Sequence, residues 1–146
     1  MNYYISDLHL FQETSIRFDE RPFKNLEEMH EIIKEKWNCK VNNGDKVFIL
    51  GDISYRGKNE NLISYVSTLK GQKILIKGNH DDVSDYRYHQ LFADMCDYKE
   101  IHDSVKGKNY DLVLSVGKIW GKDLFFYTDI RTIVLRINII RSVCRK

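Results

Sequence analysis

The sequence predicts an α/β domain built around a mainly parallel sheet. Apolar, β-branched stretches alternate with amphipathic stretches of helical period, the strand and helix order that produces parallel sheets. The length of 146 residues suits one domain over 1–146 with a substantial core. In addition, each of the first three predicted strands leads directly into polar residues of the metal-binding type.

The first strand is predicted over residues 2–6 from its aromatic and β-branched content. A long loop follows as far as Phe23, and long loops in compact domains usually carry function. Asn25 and Glu28 have the spacing of a capping box, so a helix should begin there. Its inward face carries apolar residues at helical spacing: Leu26, Met29, Ile33 and Trp37.

Turn residues at 43–45 precede a second predicted strand over 46–50, whose apolar run suits a sheet covered on both faces. A second helix is predicted over about 59–70, with Gly71 as its stop. The third strand is predicted over 73–76.

A third helix is predicted from Ser84, as its N-cap, to about Cys96. Further strands are predicted over 111–115, 124–127 and 132–140, and the sequence does not determine their order in the sheet.

Polar side chains leave the ends of all three leading strands. They are Asp7 and His9 after the first, Asp52 after the second, and Asn79, His80 and Asp81 after the third. Ligands of open α/β sheets bind beyond the carboxyl ends of the strands, so these side chains should meet. Their carboxylates, imidazoles and amide oxygen suit one or two divalent ions of the Mn, Fe or Zn type. Gly51 and Gly78 should leave room for metal and phosphate beside the backbone.

The spacing within these groups suggests individual roles. Asp7 and His9 lie two positions apart, so an extended backbone would place both on one side. Asp52 arrives from the neighbouring strand and can bridge two ions. His80 is the candidate proton donor to a leaving oxygen, with Asp81 as the group that fixes its tautomer. The alternative for each segment taken alone is a simple turn.

Other polar residues have simpler alternatives. Arg56 lies in a glycine-containing loop and could contact an anionic substrate, although a solvated cation is the simpler interpretation. His30 is expected to be a surface or boundary residue. His89 and His102 are distant candidates for metal ligation, set against structural or exposed positions.

The composition is that of an ordinary globular protein, and the net charge of +2 does not indicate a partner. The cysteines Cys39, Cys96 and Cys144 are odd in number and far apart, so we expect a reducing, cytoplasmic setting. The first residues lack a basic signal region, and no apolar run reaches the ~20 residues of a membrane span, so no membrane partner is expected.

The character of the chain changes near Ser115. Residues 116–146 hold seven Lys or Arg against two Asp, a net charge of +5, whereas residues 1–115 carry a net charge of −3. This basic tail also contains apolar stretches. A half-buried strand is one interpretation, and a homodimer contact or a surface for an anionic partner is the alternative.

The polar blocks resemble the first three signature blocks of the calcineurin-like metallophosphoesterases: Asp7-Leu8-His9, Gly51-Asp52 and Gly78-Asn79-His80-Asp81. The similarity covers about residues 1–115. It is closest to small bacterial and phage-type members, which have a stretch similar to Arg21-Pro22-Phe23. The resemblance implies a four-layer α/β/β/α fold, a β-sandwich flanked by helices, and a dinuclear site, commonly with Mn, Fe or Zn.

The resemblance also implies a division of labour at the site. Asp7 and His9 would bind the first metal, Asp52 would bridge the two, and Asn79 would bind the second. His80, paired with Asp81, would act on the phosphate and the leaving group.

The C-terminal part departs from the family pattern. The family has a histidine after a fourth strand and a later Gly-His-x-His block, but Val116 stands at the first position and no histidine follows His102. The second metal site therefore keeps only Asp52 and Asn79. A frameshift or truncation in the gene is one explanation for a divergent tail over 116–146, and a natural degenerate member is the other.

Two functions follow from these residues. The first is metal-dependent hydrolysis of a phosphomonoester or phosphodiester by a metal-activated hydroxide, with nucleic acid only as one conceivable substrate. The second is a catalytically impaired relic that binds metal or phosphate, or acts as an interaction module.

Overall fold

The structure is a computed structural model that describes residues 1–54, 60–78, 81, 83–105 and 107–115. Its elements follow in the order β1 (Asn2–Ser6), α1 (Glu13–Phe18), α2 (Leu26–Lys40), β2 (Lys46–Leu50), α3 (Glu60–Ser67), β3 (Gln72–Ile76), α4 (Tyr86–His89), β4 (Asp94–Cys96), β5 (Tyr98–Val105) and β6 (Lys108–Ser115). The first four strands form a parallel sheet in the order β1-β2-β3-β4, and β5 and β6 form an antiparallel pair. The predicted α/β class is confirmed.

The register of the parallel sheet aligns the carboxyl ends of three strands. Ser6 at the end of β1 pairs with Leu50 at the end of β2, and Leu50 pairs with Ile76 at the end of β3. The segments that follow these residues therefore leave the sheet at one edge. This is the edge at which the sequence predicts a metal site.

One face of the sheet packs against α2, α3 and the segment around α4. The capping prediction for α2 is confirmed, since the Asn25 side chain accepts a hydrogen bond from the Glu28 backbone N–H at 2.9 Å. Among the described residues, the predicted apolar stripe is largely buried: Met29, Ile33 and Trp37 are buried, and Leu26 packs against the same core.

The other face of the sheet is covered by the β5–β6 hairpin. Leu114 of β6 is buried in a cluster with Tyr4, Phe48, Ile74 and Ile76. The Tyr4 hydroxyl also donates to Asp103 of β5 at 2.7 Å. Both faces of the parallel strands are thus apolar, which explains their continuous hydrophobic runs. The hairpin lies where the second sheet of a sandwich is expected, and the strands predicted over 124–127 and 132–140 lie outside the described residues.

The predicted helix from Ser84 to Cys96 is wrong. Only Tyr86–His89 is helical, and Asp85 rather than Ser84 caps it by accepting from the Arg87 N–H. The chain then forms β4, which extends the sheet beside β3. Met95 packs against the core on the face of the sheet that the helices cover, here called the helix-side core. Cys96 packs against the cluster on the face that the hairpin covers. Such alternation between the two faces is typical of a strand.

Three smaller differences concern the ends of elements and the loops. The long loop after β1 contains an unpredicted short helix, α1. The helix predicted over 59–70 is described over Glu60–Ser67, and it ends three residues earlier than predicted. The strand predicted over 111–115 is the second half of β6, and its partner β5 was not predicted. The turn between β5 and β6 includes Gly107, whose φ of 76° suits glycine.

Within the part of the chain that the structure describes, no helix combines the length and the apolar character needed to cross a membrane. Residues 116–146, with the charge change and the predicted dimer contact, lie outside that part.

Candidate metal centre

Left-handed backbone conformations mark the chain segments that follow β1 and β2. Asp7 and His9 have φ values of 52° and 45°, and Gly51 and Asp52 have values of 68° and 51°. Such values are uncommon for residues other than glycine, and they concentrate at functional sites. The backbone at Asp7 and His9 is therefore not extended as expected, and left-handed conformations at both residues orient the two side chains.

The two segments run side by side. The His9 N–H donates to the Asp52 carbonyl oxygen at 2.9 Å, and the Leu10 N–H donates to the Ile53 carbonyl oxygen at 2.8 Å. Leu8 and Leu10, on either side of His9, are fully buried in the helix-side core. Buried neighbours and backbone bonds thus fix the position from which His9 reaches the edge of the sheet.

Asp7, His9 and Asp52 converge. Each offers a ligand atom, and these atoms all lie within 4.8 Å of one another. The Asp7 Oδ1 is 3.8 Å from the His9 Nε2, and the Asp7 side chain is 62% exposed, so the group is accessible from solvent. Two carboxylates and one imidazole are a donor set that suits Mn, Fe or Zn.

The His9 ring has its other nitrogen occupied. Its Nδ1 lies 2.9 Å from the Gln12 side-chain oxygen, and the Gln12 Nε2 donates to the Thr14 hydroxyl at 3.2 Å. An amide oxygen requires a proton on Nδ1, so Nε2 is the ring nitrogen that carries the lone pair needed to ligate a metal. Sequence reasoning missed Gln12, and its position three residues after His9 in the loop is the signal that was present.

Arg21 forms hydrogen bonds with the backbone of the same loop. Its guanidinium donates to the Leu8 carbonyl oxygen at 2.8 Å and to the Asp7 carbonyl oxygen at 2.9 Å. Asp19 accepts from the same group at 2.7 Å. The Arg21-Pro22-Phe23 stretch noted in the sequence therefore contributes a side chain that fixes the backbone of the candidate ligand Asp7.

Asp81 accepts three backbone hydrogen bonds. Its Oδ2 accepts from the N–H groups of Asp52 at 3.0 Å and Gly78 at 2.8 Å, and its Oδ1 accepts from Ile53 at 3.1 Å. Burial raises the pKa of the Asp81 carboxyl, the three N–H bonds oppose this shift, and the negative charge of Asp52 adds to it.

Gly78 lies against Asp52. A Cβ on Gly78 would be 2.6 Å from the Asp52 Oδ1 and 2.8 Å from the Asp52 backbone nitrogen. The glycine is thus required for a close approach of two chain segments, in addition to any room that it leaves for a ligand.

Several predicted site residues fall outside the described residues: Arg56, Asn79 and His80. Their roles, and the pairing of His80 with Asp81, stay predictions. The metal-binding group found among the described residues contains neither His89 nor His102. His89 contacts the Val83 carbonyl oxygen at 2.8 Å, and His102 pairs with Asp111 across the hairpin.

His30 has a structural role. Its Nε2 accepts a hydrogen bond from the Phe11 N–H at 3.1 Å, and the two rings lie 4.2 Å apart. The His30 side chain is half-buried, at the boundary between the core and the surface, as expected. It supports the loop that carries His9 without reaching the candidate metal group.

The chain resembles known proteins over most of its length. The family model described as calcineurin-like phosphoesterase matches residues 3–143, which includes most of the segment that the sequence analysis assigned to a divergent tail. An uncharacterized protein of Methanocaldococcus jannaschii, MJ1445, is 38% identical over 80 residues, 54% of this chain and 46% of that protein. The chain thus matches less than half the length of this curated relative.

A solved structure gives a second comparison. The crystal structure of the protein of unknown function AQ665 from Aquifex aeolicus superposes with a TM-score of 0.64 and 28% identity, and the match covers 94% of this chain and 72% of that chain. With the match to the family over residues 3–143, these observations lead to one conclusion: the chain belongs to the calcineurin-like phosphoesterase family.

Proposed function

We propose that the protein is a metal-dependent phosphoesterase that hydrolyses a phosphomonoester or phosphodiester. The observation that carries the proposal is the convergence of Asp7, His9 and Asp52 within 4.8 Å at the carboxyl edge of the parallel sheet. Family membership supports the same reaction class. The proposed substrate is a phosphate ester. Nucleic acid is considered only as one such substrate and not as a binding partner.

We assign separate roles to the candidate residues. Asp7, His9 and Asp52 would hold the first divalent ion, with Mn²⁺ preferred and Fe or Zn as alternatives. When bound, such an ion supplies a hydroxide nucleophile near neutral pH and offsets charge on the phosphoryl oxygens. His80 is proposed to donate a proton to the leaving oxygen, and Asn79 to bind a second ion or the substrate.

Arg56 is proposed to attract the anionic ester. It is the predicted site residue whose role rests on charge alone.

The test is hydrolysis of an aryl phosphate and an aryl phosphodiester with and without added Mn²⁺. We expect Mn²⁺ to stimulate turnover, and we expect Asp52→Asn and His80→Ala to abolish most of it. Asp45→Asn is the matched control, because Asp45 precedes the same strand at its opposite end. No turnover by the wild type with Mn²⁺, Fe²⁺ or Zn²⁺ would contradict the proposal.

A second candidate is a relic that binds one ion without turnover. It is favoured by the donor count, since three of the described residues can ligate one ion and the sequence has no histidine after His102. It predicts at most one tightly bound ion per chain. Two ions per chain in anomalous-scattering maps of metal-soaked crystals would exclude it.

We also propose a cytoplasmic location and a dimer contact through residues 116–146. Among the described residues, the thiols of Cys39 and Cys96 are free, which suits a reducing compartment. Sedimentation of the full chain against a chain with Ile137→Asp would test the dimer contact. A monomeric wild type would contradict it.

A further inference from the structure

We propose that Asp81 is a positioning residue that fixes the backbone presenting the candidate metal ligand Asp52. This inference rests on the proposed metal site, but not on the occurrence of hydrolysis. It gives Asp81 a role that is separate from its predicted pairing with His80.

The hydrogen bonds of Asp81 join two chain segments. The Asp52 and Ile53 N–H groups belong to the segment after β2, and the Gly78 N–H belongs to the segment after β3. One carboxylate therefore satisfies donors from the ends of two neighbouring strands. Both oxygens must be acceptors, because all three partners are N–H groups.

The two segments lie so close together that their relative position has little freedom. Gly78 approaches Asp52 so closely that a Cβ would meet the Asp52 Oδ1 at 2.6 Å. Asp52 has a φ of 51°, in the left-handed region that Asp adopts more readily than most residues but that is still uncommon outside glycine. Asp81 contributes to the surroundings of Asp52 by accepting the Asp52 N–H and the N–H of the next residue, Ile53.

A metal site needs its ligands held within about 0.5 Å of their working positions. Loss of a group that orients a ligand typically lowers metal affinity by about 10- to 100-fold. Asp81→Asn keeps the shape of the side chain but turns one acceptor into an NH₂ donor. At least one backbone N–H would then face another donor, and the segment carrying Asp52 would shift.

The experiment is a Mn²⁺ titration of the full chain by calorimetry, with thermal melts of the metal-free proteins in parallel. We expect Asp81→Asn to weaken Mn²⁺ binding about 10- to 100-fold. We expect His80→Ala to stay within about twofold of the wild type, because a role confined to His80 would affect turnover and not metal affinity.

Asp45→Asn is the matched control for a merely structural effect. Asp45 also accepts a backbone N–H, that of Asn42 at 2.8 Å, but at the opposite end of β2. It should change the melting temperature and leave the Mn²⁺ affinity unchanged. An equal loss of affinity in Asp45→Asn and Asp81→Asn would overturn the inference.

A second measurement does not depend on the variant folding. In the metal-free wild type, the amides of Asp52, Ile53 and Gly78 should exchange with solvent much more slowly than those of the exposed turn at 43–44. Fast exchange at all three would overturn the inference, as would unchanged Mn²⁺ affinity in a folded Asp81→Asn. A wild type that binds no Mn²⁺ would instead overturn the proposed function, and this inference with it.

Discussion

Gly78 is a residue at which the absence of a side chain permits a close approach of two chain segments. Its neighbours across the gap are the Asp52 carboxylate, the Asp52 backbone nitrogen and the Gly51 Cα, all within 3.0 Å of where a Cβ would stand. Two of these three atoms are backbone, which cannot rotate away. The spacing between the ends of β2 and β3 therefore depends on glycine.

Gly78→Ala should accordingly separate the two segments. We expect a loss of about 1–3 kcal/mol in the free energy of unfolding, the usual cost of inserting a methyl group into a packed site. We also expect weaker Mn²⁺ binding, because Asp52 moves. Urea denaturation and a Mn²⁺ titration would measure the two effects.

Gly44→Ala provides the control, because a Cβ on Gly44 would have nothing within 4 Å. It should stay within about 0.5 kcal/mol of the wild type. The steric argument fails if both variants behave alike.

His30 should make the free energy of unfolding depend on pH. Burial lowers the pKa of His30 below its usual 6.5, while nearby Glu27 opposes the shift. The neutral ring accepts the Phe11 N–H, and this bond is lost when Nε2 takes a proton. The folded protein therefore binds this proton less readily than the unfolded chain does.

The contribution of His30 to the free energy of unfolding should be fully present above pH 6.5 and decline as the pH falls through the lowered pKa. His30→Gln keeps an acceptor but does not titrate, so its unfolding free energy should fall less between pH 7 and pH 5. Urea denaturation of both proteins at a series of pH values would show this. Parallel curves would contradict the role assigned to His30.

At the scale of elements, α2 and the loop before it form one unit. Phe11 in the loop contacts His30 of α2, and the Tyr65 hydroxyl of α3 donates to the His30 carbonyl oxygen at 2.6 Å. Arg21 and Gln12 then connect the loop to the carbonyl oxygen of Asp7 and to the His9 ring. The positions of the candidate ligands Asp7 and His9 therefore depend on the packing of the loop against α2.

The N-terminus of α2 depends on Asn25. Asn25→Ala should cost about 0.5–2 kcal/mol of unfolding free energy, because the Glu28 N–H loses its acceptor. Asn25→Asp keeps an oxygen at that position and should retain most of the stability. Thermal or urea unfolding would distinguish them, and equal losses in both variants would contradict the capping role.

At the scale of the whole molecule, the stability of the fold should depend on the proposed metal ion. The candidate ligands come from the ends of two strands, so the unfolded chain does not hold them together. An ion that binds only the folded state stabilises it by mass action, about 2.7 kcal/mol at a concentration of 100 times Kd.

We therefore expect Mn²⁺ to raise the melting temperature of the wild type and EDTA to reverse the increase. His9→Ala and Asp52→Asn should lose this response, whereas Asp45→Asn should keep it. Differential scanning calorimetry at several Mn²⁺ concentrations provides the measurement. A response that survives both ligand substitutions would place the ion elsewhere.

Local sequence was sufficient for several parts of the structure. The spans of β1 and β2 and the start of α2 are recorded in short-range patterns: apolar runs, and the spacing of Asn25 and Glu28. The grouping of Asp7, His9 and Asp52 also followed, because parallel strands that end in polar residues must end at one edge.

Only the tertiary structure decided the remainder, because it depends on contacts between distant segments. β4 is a strand since it pairs with β3, although its sequence also suits a helix. The carboxylate oxygens of Asp81 accept from backbone N–H groups at the ends of two strands, which no pattern along the chain records, and its predicted pairing with His80 stays a prediction. The local sequence determines which groups are available for binding, whereas the packing of the sheet determines which of those groups contact one another.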